Sequence, residues 1–322
     1  MSEAPAPHAS EPPQTDDTGA APSRKGERTF AHDGIMWRRL ARLGAAYGPR
    51  WLVEYSPPLI GVCAGILLPT IRRNVRDNLR RIRGPVGPLR EARDVASTFT
   101  NYAGCLAEVL SNGSRNDVPP DFEMSGREHM ERAIAAGTGV ILVTAHTAGW
   151  EVAGPIFRKH EGLDVVLVME PERDGAARAL QDTARRSSGV EVAHVGADPF
   201  ASLPLLHRLR DGAAVALQID RVPAGMRGVP VRLFGEAGEI PEGPLRLAQI
   251  SGAPIVPIFC ARKGHRAYSA EIAEPSFLPR RPGEGELARV AQRLADVMTD
   301  FVRRHPTQWL NFGARRATPT SR

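Results

Sequence analysis

Apolar and polar positions divide the chain into stretches of different texture. Residues 1–30 mix Pro, Ala, Ser and acids with no apolar period. Such a stretch cannot bury enough surface to offset the entropy of ordering it, which predicts a disordered tail. In residues 31–118, Trp37, Leu40, Ala41, Leu43, Trp51, Leu52 and Tyr55 supply an apolar face. The run Pro57-Pro-Leu-Ile-Gly-Val-Cys-Ala-Gly-Ile-Leu-Leu-Pro69 follows. It falls short of the ~20 residues a spanning helix needs, and Glu54 with the two prolines argues against extending it upstream. An interfacial or re-entrant segment, or a core helix, fits the pattern.

Beyond residue 119 the texture alternates. Gly139-Val-Ile-Leu-Val-Thr144 is a continuous apolar run after a glycine, the pattern of a strand buried on both faces. Residues 165–169, 190–195, 213–219 and 255–260 read the same way. Helix-compatible stretches lie between them at 174–187, 200–211 and 243–252. A longer helix over 284–304 carries Leu287, Val290, Ala291, Leu294, Val297, Met298 and Phe301 on one face. The alternation predicts an α/β domain over residues 119–315, its central sheet largely parallel and flanked by helices, followed by a short tail at 316–322. Sites in such sheets lie beyond the carboxyl ends of the strands.

Charge adds a second theme. The 322 residues carry a formal net charge of +6. Between residues 31 and 95 there are twelve arginines, no lysine and five acids. Arginines beside apolar segments suit an anionic membrane surface, so residues 31–118 are read as a basic, amphipathic, membrane-associated helical region. Arg72, Arg73 and Arg76 contact anionic head groups or an acidic carrier protein, or are simply solvated. A nucleic-acid partner is not expected: aromatic residues make up only 6%, and no RNA-binding signature accompanies the basic residues. Three cysteines at unrelated spacings imply a reducing compartment and no zinc site. The first thirty residues lack the apolar core of a signal peptide. The expected location is therefore the cytosol or the cytoplasmic face of a membrane.

The candidate chemistry sits in Val143-Thr-Ala-His146-Thr-Ala-Gly-Trp-Glu151. His146 falls just past the carboxyl end of the strongest strand, Gly149 turns the chain, and Glu151 lies one turn into the next helix. In that arrangement the Glu151 carboxylate can fold back onto one imidazole nitrogen, fixing the tautomer and leaving the other nitrogen to take a proton. An imidazole is suited to general-base work near neutral pH. Asp220 and Arg221 follow the strand 213–219 and belong at the same sheet edge. Asp220 is a candidate for hydrogen bonding in the site, or else a turn cap. Arg246 offers a planar fork for phosphate, or else a surface salt bridge. No G-x-S-x-G elbow is present for a serine hydrolase.

The segment 139–151 resembles the H-x4-D/E motif of lysophospholipid-type acyltransferases, and most closely the late acyltransferases of lipid A biosynthesis. Further blocks agree in order: Arg73-Asn-Val-Arg-Asp-Asn78-Leu79; Phe99-Thr-Asn-Tyr102 with Glu108; Gln218-Ile-Asp220; Gly228–Gly235; Pro241-Glu242-Gly-Pro-Leu-Arg246; Gly252–Pro257; and His305-Pro-Thr-Gln-Trp-Leu310. The likeness covers about residues 35–315. Two departures stand out: Ala148-Gly149 shifts the motif's glycine, and Gln218 replaces the usual first acid of a D-x-D segment. The resemblance implies an acyltransferase in which His146 deprotonates a hydroxyl and Glu151 orients His146. The acyl donor is a thioester of acyl-carrier protein or coenzyme A, with no metal or other cofactor. Asp220, Arg221, Glu242, Arg246 and Asn78 are its expected substrate-binding residues. The implied acceptor is a glycolipid such as a lipid A precursor, with a phosphatidylinositol mannoside or a lysophospholipid as alternatives, and the implied location is the cytoplasmic face of the inner membrane. A lipid-binding scaffold without catalysis is the reading from another class.

Overall fold

The fold is given by a computed structural model, which describes residues 43–45, 47–112, 114, 118–170, 190–195 and 202–314. The tails expected at 1–30 and 316–322, and the helix expected at 174–187, lie outside those residues. From Arg50 onward three helices precede the sheet: α1 (Arg50–Leu67), α2 (Pro69–Arg83) and α3 (Pro88–Leu110). The sheet follows, built from β1 (Asp121–Ser125), β2 (Val140–Thr144), β3 (Val165–Met169), β4 (Glu191–His194), β5 (Ala214–Gln218), β8 (Ile255–Gly264) and β9 (Ala267–Ile272). A separate hairpin is made by β6 (Gly228–Leu233) and β7 (Glu236–Pro241). The intervening helices are α4 (Arg127–Ile134), α5 (Trp150–Glu161), α6 (Leu203–Arg210), α7 (Gly243–Ser251) and α8 (Glu286–Arg304).

Spatial order in the sheet is β1-β9-β8-β2-β5-β3-β4, and every pair is parallel except β8–β9. This is the expected mixed α/β architecture with a mostly parallel sheet. Strand β2 is buried along its whole length because helices cover both faces. Ile141, Val143, Val215 and Ile255 point into a core shared with Leu294, Met298 and Phe301 of α8. Leu142, Ala214, Ala216 and Val256 point to the other face, against Met130 and Phe157. Burying a Leu, Ile or Phe side chain is worth roughly 1.5–3 kcal/mol, so these two layers fix the sheet and, with it, the positions of its strand ends.

The N-terminal helices depart from the sequence expectation. Helix α1 runs unbroken through Pro57 and Pro58 instead of starting after them. Each proline removes one helical hydrogen bond, and packing against α3 offsets the loss. The face toward α3 is made of Val53, Pro57, Gly61 and Gly65. A Cβ at Gly61 would sit 2.6 Å from the Phe99 carbonyl oxygen, so only glycine permits this approach. Small residues face inward, and the large apolar ones, Trp51, Tyr55, Leu59, Ile60, Ile66 and Leu67, are exposed. No single helix among the described residues is long and apolar enough to cross a membrane; α1 and α2 meet at a 100° bend. The Arg72 guanidinium donates to the carbonyls of Gly65 and Ile66 (3.2 Å each), capping the end of α1 at the bend.

The β6–β7 hairpin turns through Phe234 and Gly235, with φ of 56° and 88°. Both central residues are left-handed, the signature of a type I′ turn. For an L-residue that conformation costs roughly 1–2 kcal/mol.

Candidate active site

Register builds the site. Thr144 of β2 pairs with Gln218 of β5. Two residues further along each strand stand His146 and Asp220, which are thereby brought side by side at the carboxyl edge of the sheet. Asp220 Oδ1 lies 2.7 Å from His146 Nδ1 and 3.3 Å from the His146 backbone N–H. Its other oxygen, Oδ2, accepts the indole N–H of Trp309 at 3.0 Å. The Asp220 side chain is fully buried, whereas that of His146 is 25% exposed. Nε2 of His146 has no hydrogen-bond partner among the described residues, and Trp150 packs edge-on to the ring with centroids 6.0 Å apart.

The electrostatics follow from this geometry. Burial alone would lift the Asp220 carboxyl. The charge and hydrogen bond of the His146 ring, the Arg221 guanidinium at 3.9 Å and the Trp309 indole outweigh it, holding Asp220 well below the usual carboxylate range. Asp220 is thus a fixed negative charge behind Nδ1. Such a charge keeps the proton on Nδ1, leaves Nε2 as the acceptor, and stabilises the ring once it is protonated.

The carboxylate on Nδ1 is therefore Asp220, where the motif spacing pointed to Glu151. The physical reason is register: the parallel β2–β5 pairing places Asp220 on the near side of the imidazole. Glu151 is half-buried in the first turn of α5, where the helix dipole favours its charge. Arg221 is half-exposed beside Asp220. Glu242, at the N-cap of α7, forms an i,i+4 ion pair with Arg246 at 2.7 Å, and Arg246 also donates to Gln249 Oε1 at 2.9 Å. Neither contact of Arg246 reaches His146 or Asp220; of the two sequence readings of Arg246, the salt bridge is the one formed. Asn78 is engaged within the fold. Its amide donates to the carbonyls of Asn311 (2.8 Å) and Gly313 (3.4 Å), pinning the C-terminal segment, and neighbouring Asn74 does the same at Phe312 (3.0 Å).

That segment supplies what the sequence reading missed. Gln308, Trp309 and Leu310 run antiparallel to the turn carrying His146. Ala148 N–H donates to the Gln308 carbonyl (2.9 Å), and Leu310 N–H donates to the His146 carbonyl (2.7 Å). The Trp309 indole then reaches Asp220. The only sequence signal was the His305–Leu310 block, which carries no hint of which atom Trp309 would meet.

The turn is held from beneath as well. Gly149 has φ +93°, and a Cβ there would lie 2.4 Å from Tyr268 Cδ1. The displaced glycine of the motif is thus required by a ring pressed against its backbone. The Tyr268 hydroxyl donates to the buried carboxylate of Glu108 on α3. Glu108 also accepts from Arg262 (Nη2 2.7 Å, Nε 3.2 Å) and from the Arg266 backbone N–H (3.1 Å). Gln308 grips the Arg262 backbone at both N–H (2.6 Å) and carbonyl (2.9 Å). Among the described residues no group of three or more His, Cys, Asp or Glu side chains is placed to hold a metal ion.

With this geometry in hand, comparison with known proteins is decisive at the level of family. The model of the bacterial lipid A biosynthesis acyltransferases matches residues 46–316. The chain belongs to that family. Its relatives include a phosphatidylinositol mannoside acyltransferase of Mycobacterium tuberculosis (strain CDC 1551 / Oshkosh), 28% identical over 190 residues, which are 59% of this chain and 58% of the relative. Another from Mycolicibacterium smegmatis (strain ATCC 700084 / mc(2)155) is 28% identical over 244 residues, 73% of this chain and 76% of the relative. The match thus spans little more than half the length of the M. tuberculosis relative. Among solved structures, the 1-acyl-sn-glycerophosphate (LPA) acyltransferase PlsC of Thermotoga maritima aligns with a TM-score of 0.37 at 14% identity, covering 84% of this chain and 97% of that one.

Proposed function

We propose that this family member is a membrane-surface O-acyltransferase that moves a fatty acyl chain from a thioester to a sugar hydroxyl of an anionic glycolipid. The carrying observation is the buried Asp220 carboxylate 2.7 Å from His146 Nδ1, with Nε2 left unpartnered among the described residues. Nε2 takes the proton of the acceptor hydroxyl as its oxygen attacks the thioester carbonyl carbon. The tetrahedral intermediate then collapses, the C–S bond breaks, and the imidazolium returns its proton to the departing thiolate. Asp220 steadies the imidazolium throughout. The donor is acyl-carrier protein or coenzyme A carrying the acyl chain, and no further cofactor enters the scheme.

For the acceptor, the relatives' names favour a phosphatidylinositol mannoside over a lipid A precursor. Arg221, half-exposed beside Asp220, is suited to a phosphate of either substrate. The outward apolar face of α1, next to the arginines of α2, supports docking on an anionic membrane at its cytoplasmic face. The test is transfer of labelled acyl chains from long-chain acyl-coenzyme A to phosphatidylinositol mannoside in mixed micelles. The wild type transfers, and His146→Ala falls by about 10²–10⁴. Equal rates for the two proteins refute the base assignment.

A further inference from the structure

The β6–β7 hairpin carries a bulky side chain where its backbone asks for Asn or Gly. Phe234, at φ 56°, is the first central residue of a two-residue turn whose second is Gly235. A large residue held in left-handed conformation is an outlier, and such outliers persist where the side chain is needed. The turn is also firmly seated. Gln292 of α8 accepts from the Arg232 backbone N–H (2.8 Å) and donates to the Arg232 carbonyl (3.1 Å), and Arg81 of α2 pairs with Glu236 at 3.1 Å.

The Phe234 ring has three notable neighbours. The guanidinium carbons of Arg81 and Arg303 lie 5.4 and 6.0 Å from its centroid. The third is Trp309, with ring centroids 5.4 Å apart at 46°. That indole donates to Asp220 Oδ2, and Asp220 holds His146. We propose that Phe234 is a positioning residue: clamped by two arginines at a strained turn, its ring braces Trp309 so that the indole N–H keeps Asp220 aligned behind His146. The proposal rests on the reading of His146 as the base. It assigns a role to the hairpin, which otherwise touches no reacting group.

Four variants of the full chain test it: Phe234→Asn, Phe234→Tyr, Trp309→Phe and the Phe234→Asn/Trp309→Phe pair, with His146→Ala as control. Each is assayed for melting temperature, for transfer from long-chain acyl-coenzyme A to phosphatidylinositol mannoside, and for exchange of indole N–H protons by NMR. The Trp309→Phe spectrum identifies the Trp309 signal. Asn suits the turn and offsets the lost ring packing in part, so Phe234→Asn stays folded and melts within a few degrees of wild type. Its Trp309 indole proton exchanges about tenfold faster, and kcat falls about tenfold with KM within about twofold. Phe234→Tyr, which restores the ring, recovers most of the loss. In the Trp309→Phe background the Phe234→Asn change costs less than about twofold further, because the two act through one hydrogen bond. An unchanged indole exchange rate in Phe234→Asn overturns the proposal, as does a loss of kcat that multiplies in full with Trp309→Phe. A fully active His146→Ala removes the base and, with it, the brace; an inactive His146→Ala beside a fully active Phe234→Asn overturns the brace alone.

Discussion

Replacing Asp220 by Asn keeps the volume and removes the charge, and the surroundings of that side chain make the consequences calculable. Every neighbour of the carboxylate is a donor: His146 Nδ1 at 2.7 Å and backbone N–H at 3.3 Å on Oδ1, Trp309 Nε1 at 3.0 Å on Oδ2. A carboxamide has one oxygen to offer. If that oxygen faces His146, the NH2 meets the indole N–H, and two buried donors confront each other at a cost of about 1–3 kcal/mol. If the NH2 faces His146 instead, Nδ1 must accept, the ring proton moves to Nε2, and the base is blocked. Each arrangement makes two hydrogen bonds, from Nδ1 and the His146 backbone N–H in the first and from the amide to Nδ1 and the indole to the amide in the second; the first deprives the imidazolium of a full opposing charge and the second blocks the base. Asp220→Asn therefore lowers kcat by about 10²–10⁴ while KM moves little, and it lowers Tm by several degrees, at roughly 2–4 °C per kcal/mol. Where the amide oxygen faces His146, adding Trp309→Phe removes the opposed donor. The double variant recovers roughly 1–3 kcal/mol of stability relative to Asp220→Asn but none of the rate. Steady-state acyl transfer and thermal unfolding check the two halves separately. A kcat within threefold of wild type would refute the catalytic half, and a double variant no more stable than Asp220→Asn would refute the arrangement with the amide oxygen on His146.

The ionic core under the active-site turn makes a second prediction. Glu108→Gln leaves Arg262, which is only 15% exposed, without its counter-ion. Breaking such a buried pair costs roughly 3–5 kcal/mol, a fall in Tm on the order of 10 °C; calorimetry showing less than 2 °C contradicts it. Acid sensitivity has a defined sign. The Asp220 carboxyl is depressed on folding, so its contribution is full above the ordinary Asp value of about 3.9 and is lost progressively as pH falls below it. Urea midpoints of the wild type should therefore drop more steeply below about pH 4 than those of Asp220→Asn. Burial pushes the Cys105 and Cys260 thiols up to about 12, while Cys63 is exposed on α1. At pH 8 a maleimide should label Cys63 alone, and anionic vesicles should protect it; equal labelling with and without vesicles argues against docking through α1.

What the sequence disclosed, and what it hid, divides along physical lines. Strands β2, β3, β5 and β8 are continuous apolar runs, since a strand covered on both faces has no polar side to show, and they were readable at once. The strands that were missed are half-buried. In β1 (Asp-Phe-Glu-Met-Ser) and β9 (Ala-Tyr-Ser-Ala-Glu-Ile), apolar positions alternate with polar ones over too few residues to stand out. The hairpin hides for another reason: Phe-Gly at its turn lacks the Asn-Gly signature. At the site, the strand-end placement of His146 and Asp220 was legible, because both follow runs of the same character. Their pairing was not. It depends on β2 and β5 being neighbours in register, and sequence proximity favoured Glu151. Trp309 was further out of reach, since 89 residues separate it from Asp220 and only the fold closes that gap. The prolines of α1 misled in the opposite direction, because a local rule against helix continuation was overridden by packing on α3.

The strand-like stretch Gln308–Leu310 has a bearing on biosynthesis. Helices α1 to α3 and most of the sheet can leave the ribosome, and α1 can meet a lipid surface, while the histidine still has no finished setting. Only when the residues around 309 clear the exit tunnel can the indole reach its acid and the turn gain its flanking backbone. A nascent chain is therefore inert toward thioesters until residue 309 has emerged, however much of the sheet is already out.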